Sequence, residues 1–303
     1  MATIEAVGLG KSFGARRAVN DLSFTVRPGS VTGFLGPNGS GKSTTMRLML
    51  GLDSGDGRTT FDGQAFGELK HPLRHVGALL EAKPFHPTRT ARNHLRMIAA
   101  ANGIGSDRVD QVLDLVGLGT VARARPKTFS LGMGQRLGVA AALLGDPHTL
   151  ILDEPSNGLD PQGITWLRHL LKHLADEGRA VFVSSHLLSE MALLADELVV
   201  IGRGTLLANG AVSDFIDASH LGTVRLTTPD HAVLLPRVEA AGGTVTSDGD
   251  VLVVSGLAAD AIGDLAHEVG ARVHQLVTVK ATLEEAFLEA TGLSEEFQGG
   301  GSA

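Results

Sequence analysis

Apolar and polar positions along the first fifty residues alternate in short runs. Between residues 2 and 26 the apolar runs break at Gly8 and Gly14, which predicts two or three strands of a partly antiparallel sheet. Residues 30–35 form a further apolar strand, a glycine-rich loop follows, and residues 42–50 show a helical pattern. The chain therefore begins with the order strand, glycine loop, helix.

The middle of the chain changes to a helical period. Helical patterns separated by glycine and proline predict an insertion of helices over about residues 85–145. After this insertion, apolar runs alternate with amphipathic segments, which predicts a parallel sheet covered by helices on both faces. Strands are expected at residues 149–152, 180–184 and 197–201, and helices at residues 161–177 and 189–195.

The pattern changes again after residue 213. The remaining elements follow the order strand, helix, strand, strand, helix, strand, which is typical of a small ferredoxin-like α+β unit. A last amphipathic helix is expected over residues 282–290. We therefore predict two domains, residues 1–215 and 216–293, followed by a flexible tail at residues 294–303.

Composition narrows the classes of function. The 303 residues are 43% hydrophobic, and they include no cysteine, which excludes disulfides, thiolate zinc sites and cysteine nucleophiles. A formal net charge of −7 argues against a nucleic-acid partner. No apolar stretch reaches about 18 residues and no secretory signal is visible, so we expect a cytoplasmic chain without its own membrane span. The 39 glycines exceed ordinary usage and require an explanation.

One glycine-rich segment satisfies the pattern G-x-x-x-x-G-K-[ST] between a predicted strand and a predicted helix. Glycines let backbone N–H groups surround phosphate oxygens, and the helix adds the positive end of its dipole. A plain glycine turn before a helix is the alternative. We expect Lys42 to bridge the β- and γ-phosphates of a nucleotide, Ser43 to bind Mg²⁺ and Thr44 to approach the α-phosphate. The segment consists of Gly36, Pro37, Asn38, Gly39, Ser40, Gly41, Lys42 and Ser43.

Two carboxylates follow the apolar strand at residues 150–152. Asp153 is expected to hold Mg²⁺ through water, and Glu154 to orient and deprotonate an attacking water molecule. A solvated strand end would carry the same residues. His186 follows another apolar strand, where a structural histidine is the alternative. Because the carboxyl ends of parallel strands meet at one edge of a sheet, we expect His186 beside Lys42 and Glu154.

Together with the segment SLGMGQR at residues 130–136, these residues resemble the nucleotide-binding subunit of an ABC transporter over about residues 1–215. The resemblance implies a P-loop NTPase fold of the ABC ATPase type, with an antiparallel β subdomain and a helical insertion. It implies ATP and Mg²⁺ as ligands. Phe13 resembles the aromatic residue that stacks on adenine, although an apolar strand residue is the alternative. In the family's terms, Walker A is residues 36–44, Walker B residues 150–153, the D-loop residues 157–160 including Asp160, and the switch histidine His186.

Two positions depart from the usual family pattern. The signature segment usually reads Leu-Ser-Gly-Gly-Gln, whereas this chain keeps Ser130 and Gly132 but has Leu131 in place of the first glycine. Glu81 stands where the family usually has glutamine near the nucleotide, which adds a negative charge there. Both substitutions resemble the bacitracin-type antibiotic and multidrug exporter ATPases.

The signature segment has its own physical logic. Ser130 precedes a helical pattern and can cap that helix, while Gly132 permits close approach of the backbone to an anion. In the resemblance, both residues act on ATP bound to the opposite subunit. This implies a homodimer that encloses two ATP molecules.

The resemblance predicts an ATP-hydrolysing subunit on the inner face of the cell membrane. It would drive a separate transmembrane permease that exports an antibiotic or another hydrophobic compound. One alternative is a soluble ABC-type ATPase acting on ribosomes or DNA, and another is a P-loop kinase or GTPase. The ferredoxin-like unit could serve dimerisation, regulation or docking, or it could only stabilise the chain.

Overall fold

The computed structural model of the protein describes residues 3–81, 85–86, 88–218, 222–249, 251–279 and 281–291. The chain divides into two compact units, Met1–Ala211 and Val212–Ala303. This division lies slightly before the boundary at residue 215 that the sequence predicts. The predicted tail at residues 294–303 lies outside the described residues.

Short strands and helices alternate through the first unit. Its strands are β1 (Ile4–Phe13), β2 (Arg16–Val26), β3 (Ser30–Leu35), β4 (Asp56–Phe61), β5 (Val76–Leu79), β6 (Thr149–Leu152), β7 (Ala180–Ser185), β8 (Glu197–Gly202) and β9 (Thr205–Ala211). Its helices are α1 (Lys42–Met49), α2 (Pro72–His75), α3 (Ala91–Ala101), α4 (Ser106–Leu115), α5 (Leu131–Ala142), α6 (Pro161–Asp176) and α7 (Leu188–Leu194).

Two sheets organise the first unit. The smaller sheet is antiparallel with the order β2-β1-β4. The larger sheet has the order β5-β6-β7-β3-β8-β9, in which the strands from β5 to β8 are parallel and β9 is antiparallel to β8. Because β3, β6 and β7 run in the same direction, their carboxyl ends lie at the same edge of the sheet.

A cluster of aromatic residues joins the two sheets. Phe24 on β2, Phe34 on β3 and Phe182 on β7 are buried, and their ring centroids lie 5.0 to 5.8 Å apart. Burial of each side chain contributes about 1.5–3 kcal/mol to folding. The cluster therefore holds the strands that precede the phosphate loop and His186 in a common core.

Helices α3, α4 and α5 pack on one another and form the helical insertion. Thr90 caps α3 by accepting a hydrogen bond from the Asn93 N–H at 3.2 Å. Ser130 caps α5 in the same way, accepting from the Met133 N–H at 3.2 Å. Since α5 also packs on β5, the insertion contacts the large sheet next to β6, the strand that carries the acidic residues.

The second unit is a four-stranded antiparallel sheet with helices. Its elements are α8 (Val212–Ala218), β10 (Thr223–Thr227), α9 (His231–Ala240), β11 (Thr244–Asp248), β12 (Val251–Ser255), α10 (Ala259–Glu268), β13 (Gln275–Val279) and α11 (Leu283–Thr291). The strand order β11-β12-β10-β13 is compatible with the predicted ferredoxin-like arrangement. Its core contains Val224, Leu226, Leu234, Val238, Val254, Ile262 and Ala266.

Candidate functional site

The phosphate loop lies between β3 and α1, where the backbone turns sharply. Gly41 has a φ of 108°, and a Cβ at this position would lie 2.5 Å from the carbonyl oxygen of Ala18, so glycine is required. Lys42 has only 7% of its side chain exposed. Its Nζ donates hydrogen bonds to the carbonyl oxygens of Gly36 at 2.6 Å and Pro37 at 3.4 Å. The lysine ammonium is therefore held inside its own loop.

An open cavity of about 490 Å³ faces this loop. Its volume is in the range of pockets that hold cofactors and other small molecules. The phosphate loop, the hairpin between β1 and β2, and the acidic end of β6 all contribute to the wall. The lining residues are Phe13, Arg16, Ala18, Asn38, Gly39, Gly41, Lys42, Ser43, Thr44 and Glu154.

The carboxyl ends of β6 and β7 meet beside this cavity. The parallel register pairs Leu152 with Val183, so Ser184 lies next to Asp153. The buried Ser184 hydroxyl donates a hydrogen bond to Asp153 Oδ1 and accepts one from the backbone N–H of Glu154 at 2.8 Å. One serine side chain therefore orients both acidic residues.

Glu154 has an unusual backbone conformation. Its φ is 47°, in the left-handed region, which costs a residue other than glycine about 1–3 kcal/mol. Gln135 on α5 is buried, and its Nε2 donates to the backbone carbonyl oxygen of Glu154 at 3.3 Å. Hydrogen bonds from Gln135 and Ser184 thus stabilise a backbone that would otherwise relax.

The Glu154 carboxylate lies between two of the residues predicted with it. Its Oε1 is 3.4 Å from Lys42 Nζ, and its Oε2 is 2.9 Å from His186 Nδ1. Only 18% of the Glu154 side chain is exposed, so solvent screens these contacts weakly. The structure thus brings Lys42, Glu154 and His186 together at one edge of the sheet.

The signature and D-loop residues form a separate cluster. None of Ser130, Gly132 and Asp160 is among the described residues that line the cavity. A Cβ on Gly132 would lie 3.1 Å from the carbonyl oxygen of Gly158, so the two segments are in close contact. Asp160 caps α6 by accepting a hydrogen bond from the Gly163 N–H at 2.8 Å.

Leu131, which departs from the family pattern, belongs to the same cluster. Gly158 has a φ of 78°, and a Cβ on it would overlap the Leu131 side chain. The leucine therefore packs directly on the D-loop glycine while 46% of it stays exposed. Leu131 therefore fits in the signature because Gly158, which it contacts, has no side chain.

Sequence reasoning assigned no role to Ser184 or Gln135. A signal for Ser184 was available, because it stands two residues before His186 on a strand that pairs in parallel with β6. Gln135 gives no such signal, since its contact with Glu154 depends on how α5 packs on the sheet.

A model of the ABC transporter family matches residues 19–157, and a model of a domain of unknown function (DUF8746) matches residues 222–284. The chain is 37% identical over 299 residues to an uncharacterized ABC transporter ATP-binding protein, YhcH, of Bacillus subtilis (strain 168), and the match covers 97% of both chains. This protein belongs to the ABC transporter ATP-binding family. It is therefore an ATP-binding subunit that hydrolyses ATP.

Two further comparisons extend this result. This ABC ATP-binding protein is 43% identical over 208 residues to the bacitracin transport ATP-binding protein BcrA of Bacillus licheniformis. The match covers 67% of this chain and 68% of the relative. A solved dimeric bacterial ABC transporter cassette superposes with a TM-score of 0.64 at 22% identity, covering 69% of this chain and 98% of that one. The second match shows the ABC ATPase fold.

In this ABC ATPase, two predicted nucleotide contacts differ in their placement. Phe13 lines the cavity, is 54% exposed, and has Lys11 Nζ 5.1 Å from its ring centroid. Glu81 is exposed and is not among the described residues that line the cavity. It acts electrostatically on Arg47, whose pKa is raised mainly by its hydrogen bond to Asp53 and to a smaller extent by Glu81.

The donor set at the sheet edge of this ABC ATPase fits Mg²⁺. Ser43 contributes a hydroxyl to the cavity wall, and the Asp153 carboxylate is oriented by Ser184 at the end of β6. Both are hard oxygen donors, and Mg²⁺ usually takes only one or two protein ligands together with substrate phosphates and water. The chemistry of these two side chains therefore fits Mg²⁺.

No helix in the described ranges is both long and apolar enough to cross a bilayer.

Proposed function

We propose that Lys42, Ser43 and the loop amides bind the phosphates of ATP, that Glu154 deprotonates the attacking water, and that His186 orients Glu154. The observation that supports this most is the position of the Glu154 carboxylate on the cavity wall, 2.9 Å from His186 Nδ1 and 3.4 Å from Lys42 Nζ. A carboxylate held in this way can accept a proton from water as the bond to the γ-phosphorus forms. The products are ADP and phosphate.

Lys42 has competing partners in this mechanism. Its ammonium is held by two loop carbonyl oxygens and lies near the Glu154 carboxylate. A γ-phosphate carries more negative charge than one carboxylate, so it displaces Glu154 from Lys42. Nucleotide binding thereby releases Glu154 to accept a proton while His186 still orients it.

Ser43 and Asp153 would hold Mg²⁺ in this proposal. The ion supplies positive charge that neutralises the phosphate oxygens and orients them. Asp153 needs a defined orientation for this role, and the Ser184 hydroxyl supplies it through a direct hydrogen bond. Phe13, exposed on the same cavity, would stack on adenine.

The separate position of Ser130 and Gly132 supports a homodimer. Both residues lie outside the cavity that their own chain forms, and Ser130 caps the N-terminus of α5, where backbone amides are free of helical partners. A second copy arranged head to tail would present this helix end to the γ-phosphate of the first copy, with Asp160 nearby at the start of α6. The dimeric solved cassette of the same fold supports this arrangement.

The membrane partner and the cargo are also part of the proposal. The subunit would drive a separate transmembrane permease from the cytoplasmic face, and the cargo would be an antibiotic or another hydrophobic compound. The name of the bacitracin transport relative supports this cargo class. Purification of the tagged chain from membranes should recover a polytopic membrane protein, whereas recovery of ribosomal RNA would favour a soluble ABC-type ATPase acting on ribosomes.

Residues 216–293 would form a separate accessory domain that the ATPase reaction does not require. The position of the division at Ala211 supports an independent unit. A chain that ends after Ser213 should still bind MgATP. If transport and assembly with the permease are also unchanged, the second unit only stabilises the protein.

Glu154→Gln tests the mechanism most directly. The amide cannot accept the water proton, so we expect steady-state ATP hydrolysis to fall by at least about a hundredfold while ATP affinity is retained. Glu177→Gln, at an exposed position after α6, is the matched control and should hydrolyse ATP normally.

The same variant tests the dimer. Glu154→Gln at saturating MgATP should elute as a dimer and should return to a monomer when the nucleotide is removed. Hydrolysis at the wild-type rate would exclude Glu154 as the general base. Strictly monomeric elution would argue against the proposed homodimer.

A further inference from the structure

One carboxylate outside the proposed catalytic set connects two segments of the site. Glu190 lies on α7, where its side chain is partly buried. Its Oε2 accepts a hydrogen bond from Ser156 Oγ at 2.7 Å and another from Ser185 Oγ at 3.5 Å. Ser185 Oγ also accepts from the Leu187 N–H at 2.9 Å, so the turn that contains His186 is tied to the same network.

The two partners of Glu190 lie next to the reacting side chains in sequence. Ser156 follows Glu154 by two residues, and Ser185 directly precedes His186. The two serines follow different strands, β6 and β7. Along the chain, these strand ends are separated by the whole of α6. Glu190 therefore bridges the two segments whose side chains meet in the 2.9 Å contact between Glu154 and His186.

Few neighbouring groups could take over this bridge. Glu190 borders an open cavity of about 180 Å³ between α6 and α7. The cavity wall is formed largely by apolar side chains such as Ile164, Leu167 and Leu194, which accept no hydrogen bonds. Removing the carboxylate would leave the two serine hydroxyls without their shared acceptor.

We propose that Glu190 is a positioning residue for ATP hydrolysis, because it holds the segment after Glu154 against the segment before His186. The inference rests on the proposed roles of Glu154 and His186. Glu190 touches neither nucleotide nor water in this role, so its removal should not change the cavity that binds ATP. It should instead allow the Glu154–His186 contact to lengthen, and misplacement of a catalytic group by about 1 Å lowers turnover by up to about a hundredfold.

The test uses the full chain and separates turnover from binding. Glu190→Ala should lower kcat by about tenfold while the KM for ATP changes by less than about twofold. Glu190→Gln keeps an oxygen acceptor for both serines and should restore kcat to within about threefold of wild type. Ser189→Ala, on the same helix and the same cavity, is the control and should leave kcat unchanged.

A double-mutant cycle distinguishes the bridge from a general effect on folding. Ser156→Ala should lower kcat, and adding it to Glu190→Ala should cause little further loss because both changes remove the same hydrogen bond. A wild-type kcat in Glu190→Ala, or independent losses that multiply in the double variant, would overturn the inference. So would a loss of kcat that follows only the fraction of unfolded protein in thermal melts.

These outcomes are separate from those that test the proposed mechanism. If Glu154→Gln loses hydrolysis and Glu190→Ala does not, the proposed role of Glu154 stands and the Glu190 inference fails. If Glu154→Gln hydrolyses ATP at the wild-type rate, the mechanism fails first, whatever Glu190→Ala does.

Discussion

The two units of the chain differ in where they place polar side chains. The first unit buries Lys42, Gln135, Ser184 and Ser185 at or next to the active edge of its sheet. In the part of the second unit that the structure describes, no polar side chain is buried, and the core cluster that contains Val224 and Leu234 is aliphatic. The bidentate contact of Asp230 and Arg272 in that unit involves an arginine side chain that is 70% exposed.

This contrast has an energetic meaning. Burying a polar group destabilises a protein unless hydrogen bonds compensate for the lost contacts with water. In the first unit, hydrogen bonds from Ser184 and Gln135 provide compensation at Asp153 and at the backbone of Glu154, although the Oε1 of Gln135 has no partner among the described residues. The second unit has no such buried polar network among its described residues, which agrees with the accessory role proposed for it.

Among substitutions at the buried polar residues of the first unit, Lys42→Ala should cause the largest loss of ATP binding and hydrolysis. The substitution removes a buried ammonium that faces the cavity, so we expect ATP affinity to fall by at least about a hundredfold and hydrolysis to become undetectable. Equilibrium binding of a fluorescent ATP analogue measures the change. Lys172→Ala, exposed on α6, is the control. Normal ATP binding by Lys42→Ala would show that the buried lysine is structural.

Ser184→Ala should have the next largest effect. It removes the hydroxyl that orients Asp153 and supports the left-handed backbone of Glu154, so we expect kcat to fall by about tenfold and the free energy of unfolding to fall by about 1–3 kcal/mol. Steady-state kinetics and urea unfolding measure both changes. Ser184→Thr keeps the hydroxyl and should recover most of the turnover. Unchanged kinetics in Ser184→Ala would mean that the buried polar network serves folding alone.

The sequence predicted the elements that have strong local signals. The phosphate loop, β6 and the order of strands and helices in the second unit all follow from glycine spacing or apolar periodicity. It missed β4, β5 and β9. β4 is DGRTTF with half its residues exposed, and β9 has no buried residue, so neither shows the apolar run that signals a strand. β5 is VGAL, a short run that includes a glycine, which does not distinguish a strand from a loop. Their pairing partners make them strands.

For the site, too, local sequence signals were sufficient for some residues, whereas others depend on tertiary packing. Lys42, Glu154 and His186 could be placed together because each follows a parallel strand, and such strands share an edge. The contact of Gln135 with Glu154 and the bridge formed by Glu190 depend on how helices pack, which no local pattern encodes. The contact of Leu131 with Gly158 is likewise tertiary.

Asp230→Asn tests whether the polar contacts of the second unit are only structural. Hydrogen bonds from the Arg272 side chain and backbone lower the pKa of Asp230 well below its usual value. Such a group stabilises the folded state above its unfolded pKa of about 3.8, and this stability is lost as pH falls through the folded pKa. Asp230→Asn should therefore lower the melting temperature equally at pH 7 and pH 5.

ATP hydrolysis by the same variant should equal that of wild type. Asp264→Asn, exposed on α10, should change neither the melting temperature nor the kinetics. A loss of turnover in Asp230→Asn without a loss of stability would show that the second unit acts on the reaction, and the contrast between the units would then be wrong.

Substitution of His94 should have the smallest effect, which is on stability and not on ATP hydrolysis. His94 is a buried polar residue of the first unit that lies outside the site. Burial lowers its pKa below 6.5, and Arg89 lowers it further. The unfolded chain binds a proton near pH 6.5 while the folded state does not, so stability falls as pH decreases from about 6.5 toward the folded pKa. Above that range both states are neutral and the residue contributes no pH dependence.

His94→Leu should reduce this pH dependence. The difference in urea midpoint between pH 7.5 and pH 5.5 should be smaller than in wild type, while the exposed control His169→Leu should keep the wild-type difference. Nδ1 of His94 has no hydrogen-bond partner among the described residues, so the leucine also removes an unsatisfied buried atom. If His94→Leu and wild type lose stability in parallel on acidification, other groups titrate. The burial of His94 would then not lower its pKa measurably.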